Sequence, residues 1–395
     1  MKYAEVLDRV ADLGGAKWEV HFRARALAAA GRDIIELTIG EPDTPTPPHL
    51  AEIAIDAMRR GRTRYSNGSG EAGLRAALAR RYGARSGRDI DPAQVLCFPG
   101  TQTALYAVMA GIVDAGSEVL VGDPMYATYE GIVRAAGGHV VPVPMDAGDG
   151  FRLKAEDVAA RVTPATRAIL LNSPHNPTGA ILSRADIAAI GEVARAHDLW
   201  IVSDEVYEDL VFDGQGFASP LSLPGLADRV IVASSISKSH AAPGFRSGWI
   251  VAPAEFARRL LPLSETMLFG NQPFIADMTE AAVSAPSDVA AGMARRYAAR
   301  AAHLKTTLEA AGRLAVHPPQ AGMFAMVDIS ATGLASTPYA LDLLEEAGVA
   351  VMPGSAFGSA LDGWVRVSLT VDDARFDEAA ARMAAHADTV CRVSS

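Results

Sequence analysis

From about residue 50 the chain alternates between short apolar runs and longer stretches that carry their apolar residues on one helical face. The apolar runs are residues 94–98, 118–121, 139–143, 168–171, 200–202, 230–233 and 248–251. Most are nearly continuous, the pattern of strands buried on both faces. Between them, residues 103–113 place Leu105, Val108, Met109 and Ile112 on one helical face. Residues 184–196 follow Ser183 and have Asp186 at the third position, a capping box with the shorter acid, and a stripe of Ile187, Ile190 and Val193. Strand–helix alternation of this kind predicts an α/β fold with a mostly parallel sheet between helices.

After about residue 285 the pattern changes. A long Ala/Arg-rich helix leads to strand candidates at 323–329, 349–352 and 364–369, which predict a second, smaller α+β domain with the N-terminal arm packed on it. The run Gly40-Glu41-Pro42-Asp43-Thr44-Pro45-Thr46-Pro47-Pro48 is too rich in proline for a helix or central strand and reads as a link. The expected division is therefore 1–45 as arm and part of the small domain, 46–284 as the large domain and 285–395 as the small C-terminal domain.

The 395 residues exceed what one core usually serves, and 49% hydrophobic content suits two sizeable cores. A formal net charge of −10 argues against a nucleic-acid surface. The two cysteines, Cys97 and Cys391, form neither a disulfide framework nor a zinc site, and Cys97 lies in an apolar run that predicts a buried thiol. No HExxH spacing occurs among the histidines, so no metal site is expected. Residues 1–20 lack the apolar stretch of a signal peptide, and no run approaches the roughly 18 apolar residues of a membrane span. A cytoplasmic enzyme without membrane or nucleic-acid partners is expected.

In open α/β sheets ligands bind beyond the carboxyl ends of the strands. Four predicted strand ends carry polar groups: Gly100-Thr101-Gln102 opening a helix, Asn172 through Gly179, Ser203-Asp204-Glu205-Val206-Tyr207, and Ser234-Ser235-Ile236-Ser237-Lys238. Each is unremarkable alone, as a helix-opening turn, a turn former, a cap or a surface lysine. Together they form a convergent polar site whose groups suit a pyridoxal ring. Free N–H groups at a helix start suit a phosphate. Lys238 can form an imine with an aldehyde. Asp204 can keep a pyridine nitrogen protonated, and Asn176 and Tyr207 can hydrogen-bond the ring oxygen. A GxGxxG string, Gly68 to Gly73, is preceded by the polar Arg62-Thr63-Arg64-Tyr65-Ser66 rather than by a strand. It reads as a loop entering a helix with Leu74, Leu78 and Tyr82 inward, not as a dinucleotide site.

Ser235-Ile236-Ser237-Lys238-Ser239-His240 followed by Gly244-Phe245-Arg246-Ser247-Gly248 resembles the cofactor-lysine signature of the class I/II aminotransferases, pyridoxal 5′-phosphate enzymes of fold type I. Asn176-Pro177-Thr178-Gly179 and Asp204-Glu205-Val206-Tyr207 match two further landmarks of that family in the right order, and the resemblance runs from about Ile39 to Arg366. It implies that Lys238 is the Schiff-base lysine and proton carrier, with Asp204 on the pyridinium nitrogen and Asn176 and Tyr207 on the ring oxygen. It implies Tyr126 on the ring face and Gly100, Thr101, Gln102, Ser235 and Arg246 around the phosphate. Arg366 would bind the substrate α-carboxylate, with Gly40 approaching through its backbone and Asn176 alongside. Tyr65 matches the tyrosine that reaches the phosphate of the neighbouring subunit, which implies a homodimer with shared sites. Ala72-Gly73-Leu74-Arg75 and Ala241-Ala242-Pro243 depart from the family's usual residues.

The implied activity is ping-pong transamination between an L-amino acid and a 2-oxo acid. A C–S lyase or a non-catalytic pyridoxal-phosphate-binding regulator would share the same landmarks. The N-terminal segment from Met1-Lys2-Tyr3 through Trp18-Glu19-Val20-His21-Phe22-Arg23, with Ser237-Lys238-Ser239-His240 and Asn172-Ser173-Pro174-His175, is similar to arginine–pyruvate transaminases and also lies within the spread of bacterial aspartate and aromatic aminotransferases, so arginine, aspartate and aromatic donors stay open.

Overall fold

The computed structural model describes residues 1–13, 15–268 and 270–393. Among these, the strands in chain order are β1 Ile35–Leu37, β2 Val95–Phe98, β3 Glu118–Asp123, β4 His139–Pro144, β5 Thr166–Asn172, β6 Trp200–Asp204, β7 Val230–Ser235, β8 Gly248–Val251, β9 Ala315–His317, β10 Phe324–Asp328, β11 Val349–Pro353 and β12 Trp364–Ser368. They form two sheets, a seven-stranded one in the order β2-β8-β7-β6-β5-β3-β4 and a five-stranded one in the order β1-β11-β12-β10-β9.

The large sheet is parallel from β4 through β3, β5 and β6 to β7. β8 runs against both β7 and β2, so β2 points the same way as β7. One reversed strand thereby keeps the carboxyl ends of β2, β5, β6 and β7 on a single edge. Side chains alternate across the sheet as the period of two requires. Ile169 and Leu171 of β5 join a core with Ile187 and Ile190 of helix Arg184–Ala196, while Ala168 and Leu170 join the opposite core with Leu105, Val108 and Met109 of helix Thr101–Ile112. Burying each such side chain contributes roughly 1.5–3 kcal/mol. The small sheet has its own core, in which Phe324, Val351 and Val367 pack with Tyr297 of helix Asp288–Ala310 and Phe376 of helix Asp373–Val393.

The capping box at Ser183 forms as expected: its Oγ accepts from Asp186 N at 3.1 Å, and Asp186 Oδ2 accepts from Ser183 N at 3.0 Å. Cys97 is buried, and burial pushes its thiol up to about 12. Leu74, Leu78 and Tyr82 are buried on helix Ala72–Ser86 behind the glycine-rich loop.

Several elements differ from expectation. β5, β6 and β7 extend through Asn172, Asp204 and Ser235, because the backbone ladder continues where the apolar run stops: Asn172 faces Asp204, Asp204 faces Ala233, and Ser235 faces Gly248. β1 and β9 are three residues each, too short to leave a periodic signal. The arm divides instead of packing wholly on the small domain. Helix Glu19–Ala29 buries Val20, Ala24 and Leu27 in the small domain's core. Helix Glu5–Val10 buries no residue and is tied to the large domain by Arg9 Nε donating to Arg134 O at 2.9 Å. Polar ties of that kind have no periodic signature. Among the described residues no helix is long and apolar enough to cross a membrane, and no group of three or more His, Cys, Asp or Glu could hold a metal.

Candidate active site

The shared edge of β2, β5, β6 and β7 opens into a cavity of about 330 Å³ between the two sheets. Its wall includes Gly40, Thr101, Gln102, Tyr126, Asn176, Asp204, Tyr207, Ser235, Lys238, Arg246 and Arg366. Residues up to 348 positions apart in sequence thus meet here, from Trp18 in the arm to Arg366 on β12.

At one end, Gly100 ends the turn after β2 and caps helix Thr101–Ile112. Its φ of +91° belongs to glycine, and a Cβ there would lie 2.2 Å from Arg246 Nη2. Gly248 plays the matching part on β8, where a Cβ would lie 2.6 Å from the Gly100 carbonyl carbon. Two missing side chains let Arg246 and a helix N-terminus approach each other. Arg246 donates to Pro99 O at 3.2 Å and to Pro243 O at 2.8 Å. Thr101 Oγ1 is buried and has no hydrogen-bond partner in the protein. Ser235 Oγ accepts from Ser237 N at 3.3 Å and caps the short helix Ile236–Ser239. Free helix N–H groups, an orphaned hydroxyl and an arginine fork form an anion receptor.

At the end of β6, Asp204 is buried. Its Oδ2 accepts from Tyr129 Oη at 2.7 Å and its Oδ1 from Val206 N at 3.2 Å. Burial outweighs both bonds and pushes the carboxyl up to about 6. Asn172 Nδ2 donates to Asp204 O at 3.2 Å, and Asn172 Oδ1 accepts from Asn176 N at 2.8 Å, so the loop after β5 is locked to the end of β6. Tyr207 is buried among Tyr126, Arg366 and Asn176, and burial raises its hydroxyl.

Lys238 sits on the short helix after β7 and donates to Gly40 O at 2.5 Å. Burial draws its amine down to about 8; Glu41 opposes this, and Arg366 and Arg246 add to it. A lysine in this state is available both as a nucleophile and as a proton carrier near neutral pH. A Cβ on Gly40 would lie 2.2 Å from the Phe324 ring, so glycine is needed for the link to pass this close.

Arg366 is mid-strand on β12, opposite Met326 and Met352, and is 4% exposed. Its Nη1 donates to Asn176 Oδ1 at 3.0 Å and its Nη2 to Thr38 O at 2.6 Å. Nε is buried without a partner. The guanidinium lies 3.9 Å from the Phe324 ring centre and 4.5 Å from that of Phe357. Among the described residues no carboxylate pairs with it, and burial draws it down to about 10. A buried, unpaired guanidinium is a receptor for an anion brought from outside.

Tyr65 does not line this cavity and is 91% exposed. Several wall residues have no sequence-derived role: Tyr129, Asn172, Trp18, Phe324 and Phe357. Tyr129 has only the signal of an aromatic in a helical stripe. Asn172 had the better signal, as a polar residue ending an apolar strand.

Residues 32–383 match the model of the family described as aminotransferase class I and II. The chain is 44% identical over 384 residues to the arginine–pyruvate transaminase AruH of Pseudomonas aeruginosa, covering 97% of this chain and 98% of that protein. It is 36% identical to aromatic-amino-acid aminotransferase 2 of Thermococcus litoralis, covering 90% and 92%. The crystal structure of the aspartate aminotransferase from Rhizobium meliloti superposes with a TM-score of 0.93 at 30% identity, covering 98% of this chain and 99% of that one.

Proposed function

We propose that this chain, which belongs to the aminotransferase class I and II family, transfers the α-amino group of arginine to pyruvate by a ping-pong reaction with pyridoxal 5′-phosphate as cofactor. One observation carries the site assignment: a half-buried lysine, a buried aspartate and a buried arginine without a carboxylate line one cavity at the sheet edge.

The residues present fit the cofactor. Lys238 would hold it through the amine, Asp204 at the ring nitrogen, and Asn176 and Tyr207 at the ring oxygen. Tyr126 would cover its face. The Gly100 turn, Thr101, Gln102, Ser235 and Arg246 would hold the phosphate, and the orphaned Thr101 Oγ1 and the space left by Gly100 support this. When bound, the cofactor supplies an electron sink that lets the donor's Cα release a proton. Arg366, with its Nε unpartnered, would hold the donor carboxylate. Lys238, whose amine burial draws down to about 8, would carry the Cα proton as base and then acid.

The arginine donor is supported by the 44% identity to an arginine–pyruvate transaminase. A dicarboxylic donor would need a second cation, and the basic residues of the wall are Lys238, Arg246 and Arg366, each already assigned. The reading includes a cytoplasmic homodimer in which the exposed Tyr65 reaches the partner's phosphate site. It also includes the division into 1–45, 46–284 and 285–395, supported by the two sheets and their separate cores.

The test is the absorbance of the purified protein during addition of single amino acids without acceptor. Loss of the visible cofactor band with one equivalent of 2-oxo acid, fastest for arginine, is expected. A persistent band with accumulating pyruvate and ammonia from a cysteine conjugate would establish the lyase reaction instead. Inert arginine beside fast aspartate would reject the donor.

A further inference from the structure

With the cofactor and carboxylate residues set aside, the remaining cavity wall carries no charge: apolar Trp18, Ile39, Leu105, Ala127 and Met352 beside the neutral Tyr129, Asn172 and Ser237. The charged side chains lining the cavity are Asp204, Lys238, Arg246 and Arg366, and all have other work. None is left in this wall to meet the far end of a donor side chain. Trp18 also lines a second, outer cavity of about 420 Å³ with Leu13, Tyr106 and Ile132. Trp18, Gln102 and Ala127 border both cavities. Of these the indole is the largest group, so it is the main partition between them.

The indole is held in place. Trp18 ends the single turn Ala16–Trp18 and leads into helix Glu19–Ala29. Its backbone N–H donates to Gly15 O at 3.2 Å, and Lys17 beside it pairs with Glu130 at 3.3 Å. The ring meets His21 edge-on at 6.0 Å between centres. His21 Nδ1 lies 2.9 Å from Thr38 Oγ1, and Thr38 is the residue whose carbonyl accepts from Arg366. The partition and the carboxylate receptor therefore share one framework.

We propose that Trp18 determines donor specificity: its indole closes the side-chain end of the cavity and stacks on the guanidinium of the donor. This rests on the transamination reading above. A flat, delocalised cation is attracted to an indole face without any carboxylate, and a wall without free charges leaves that face as its receptor in this chain.

The test compares wild-type holoenzyme with Trp18→Phe and Trp18→Ala in the half-reaction, using arginine, its neutral isostere citrulline, alanine and tryptophan as donors. Trp18→Ala is expected to lower kcat/KM for arginine about tenfold, mainly through KM. Citrulline should fall less, alanine should hold, and tryptophan should improve because the two cavities merge. Trp18→Phe keeps an aromatic face and should retain most of the arginine preference over citrulline. An equal loss for all donors, or an unchanged arginine-to-citrulline ratio in Trp18→Ala, would overturn the proposal while leaving transamination standing. A wild-type enzyme that converts none of the donors would sink the transamination reading and this proposal with it.

Discussion

Replacing Arg366 with methionine separates binding from stability. The side chain is 4% exposed and lacks a carboxylate. Burial draws its guanidinium down to about 10, which corresponds to roughly 3 kcal/mol of lost solvation carried by the folded state. Because a depressed base is charged in both folded and unfolded chains below about pH 10, that penalty is constant across the working range. Against it stand two charge-assisted hydrogen bonds, to Asn176 and Thr38, and two ring contacts; the bonds contribute about 1.5 kcal/mol each. The terms nearly cancel, and methionine packs well between two phenylalanines. Arg366→Met should therefore change the unfolding free energy of the apoenzyme by less than about 2 kcal/mol. Activity should behave differently. Losing a two-contact carboxylate pair in a desolvated cavity removes about 3–4 kcal/mol, or about 10²–10³-fold in kcat/KM. Urea unfolding of the apoenzyme and half-reaction kinetics of the holoenzyme read the two quantities separately. Agmatine, which is arginine without its carboxylate, should react equally poorly with both proteins. A loss under fivefold with arginine would refute the carboxylate role. So would destabilisation beyond about 3 kcal/mol with matching loss of cofactor.

Asp204→Asn should cut kcat at least about 10²-fold and raise apoenzyme stability above pH 6. The carboxyl is raised from 3.8 to about 6, so the folded wild type binds extra protons in that window and loses relative stability as pH rises through it. Urea titrations should show the variant's advantage growing between pH 4 and 6 and level above; a pH-independent difference would contradict the burial argument. For Lys238, whose amine is drawn down to about 8, the rate at which apoenzyme captures pyridoxal phosphate should rise about tenfold per pH unit below that value and flatten above it. Stopped-flow absorbance reads this, and flattening only near pH 10 would mean an ordinary lysine. Lys238→Ala should abolish turnover while leaving non-covalent cofactor binding. Tyr65→Ala should weaken cofactor affinity about tenfold, and mixing it with Lys238→Ala should restore one complete site per mixed dimer. No recovery on subunit exchange would count against shared sites.

The polar groups gathered at the ends of β2, β5, β6 and β7 were legible because each lies beside an apolar run that announces its strand. Sequence order alone places such groups on one edge, provided the strands run the same way, and β8 preserves that direction for β2. Arg366 was legible only by resemblance. Nothing around Trp364-Val365-Arg366-Val367-Ser368 tells a buried receptor from a surface arginine, because what buries it comes from Phe324, Phe357 and Thr38. Tyr129 was missed for a similar reason: its hydroxyl matters only because Asp204, 75 residues away, ends a strand beside it. The division of the arm was also hidden, since helix Glu5–Val10 is fixed by polar contacts and buries no apolar stripe.

The signs of the burial effects nonetheless carry chemical information that spacing does not. Asp204 is pushed up, so the site favours a positive charge placed against it, as a protonated ring nitrogen would be. Arg366 is drawn down with Nε unpartnered, so it favours a carboxylate. Lys238 is drawn down chiefly by burial, with Arg366 and Arg246 adding to it, which favours the neutral amine that can attack a carbonyl. Each group is held in a state less favourable than its solution form, and each is relieved by one part of a single composite ligand. Binding of cofactor and donor should thus stabilise the fold beyond what contact area alone supplies. The burial of these three groups specifies the charge pattern of a ligand that suits them: a cation against Asp204, an anion against Arg366 and an electrophile at Lys238.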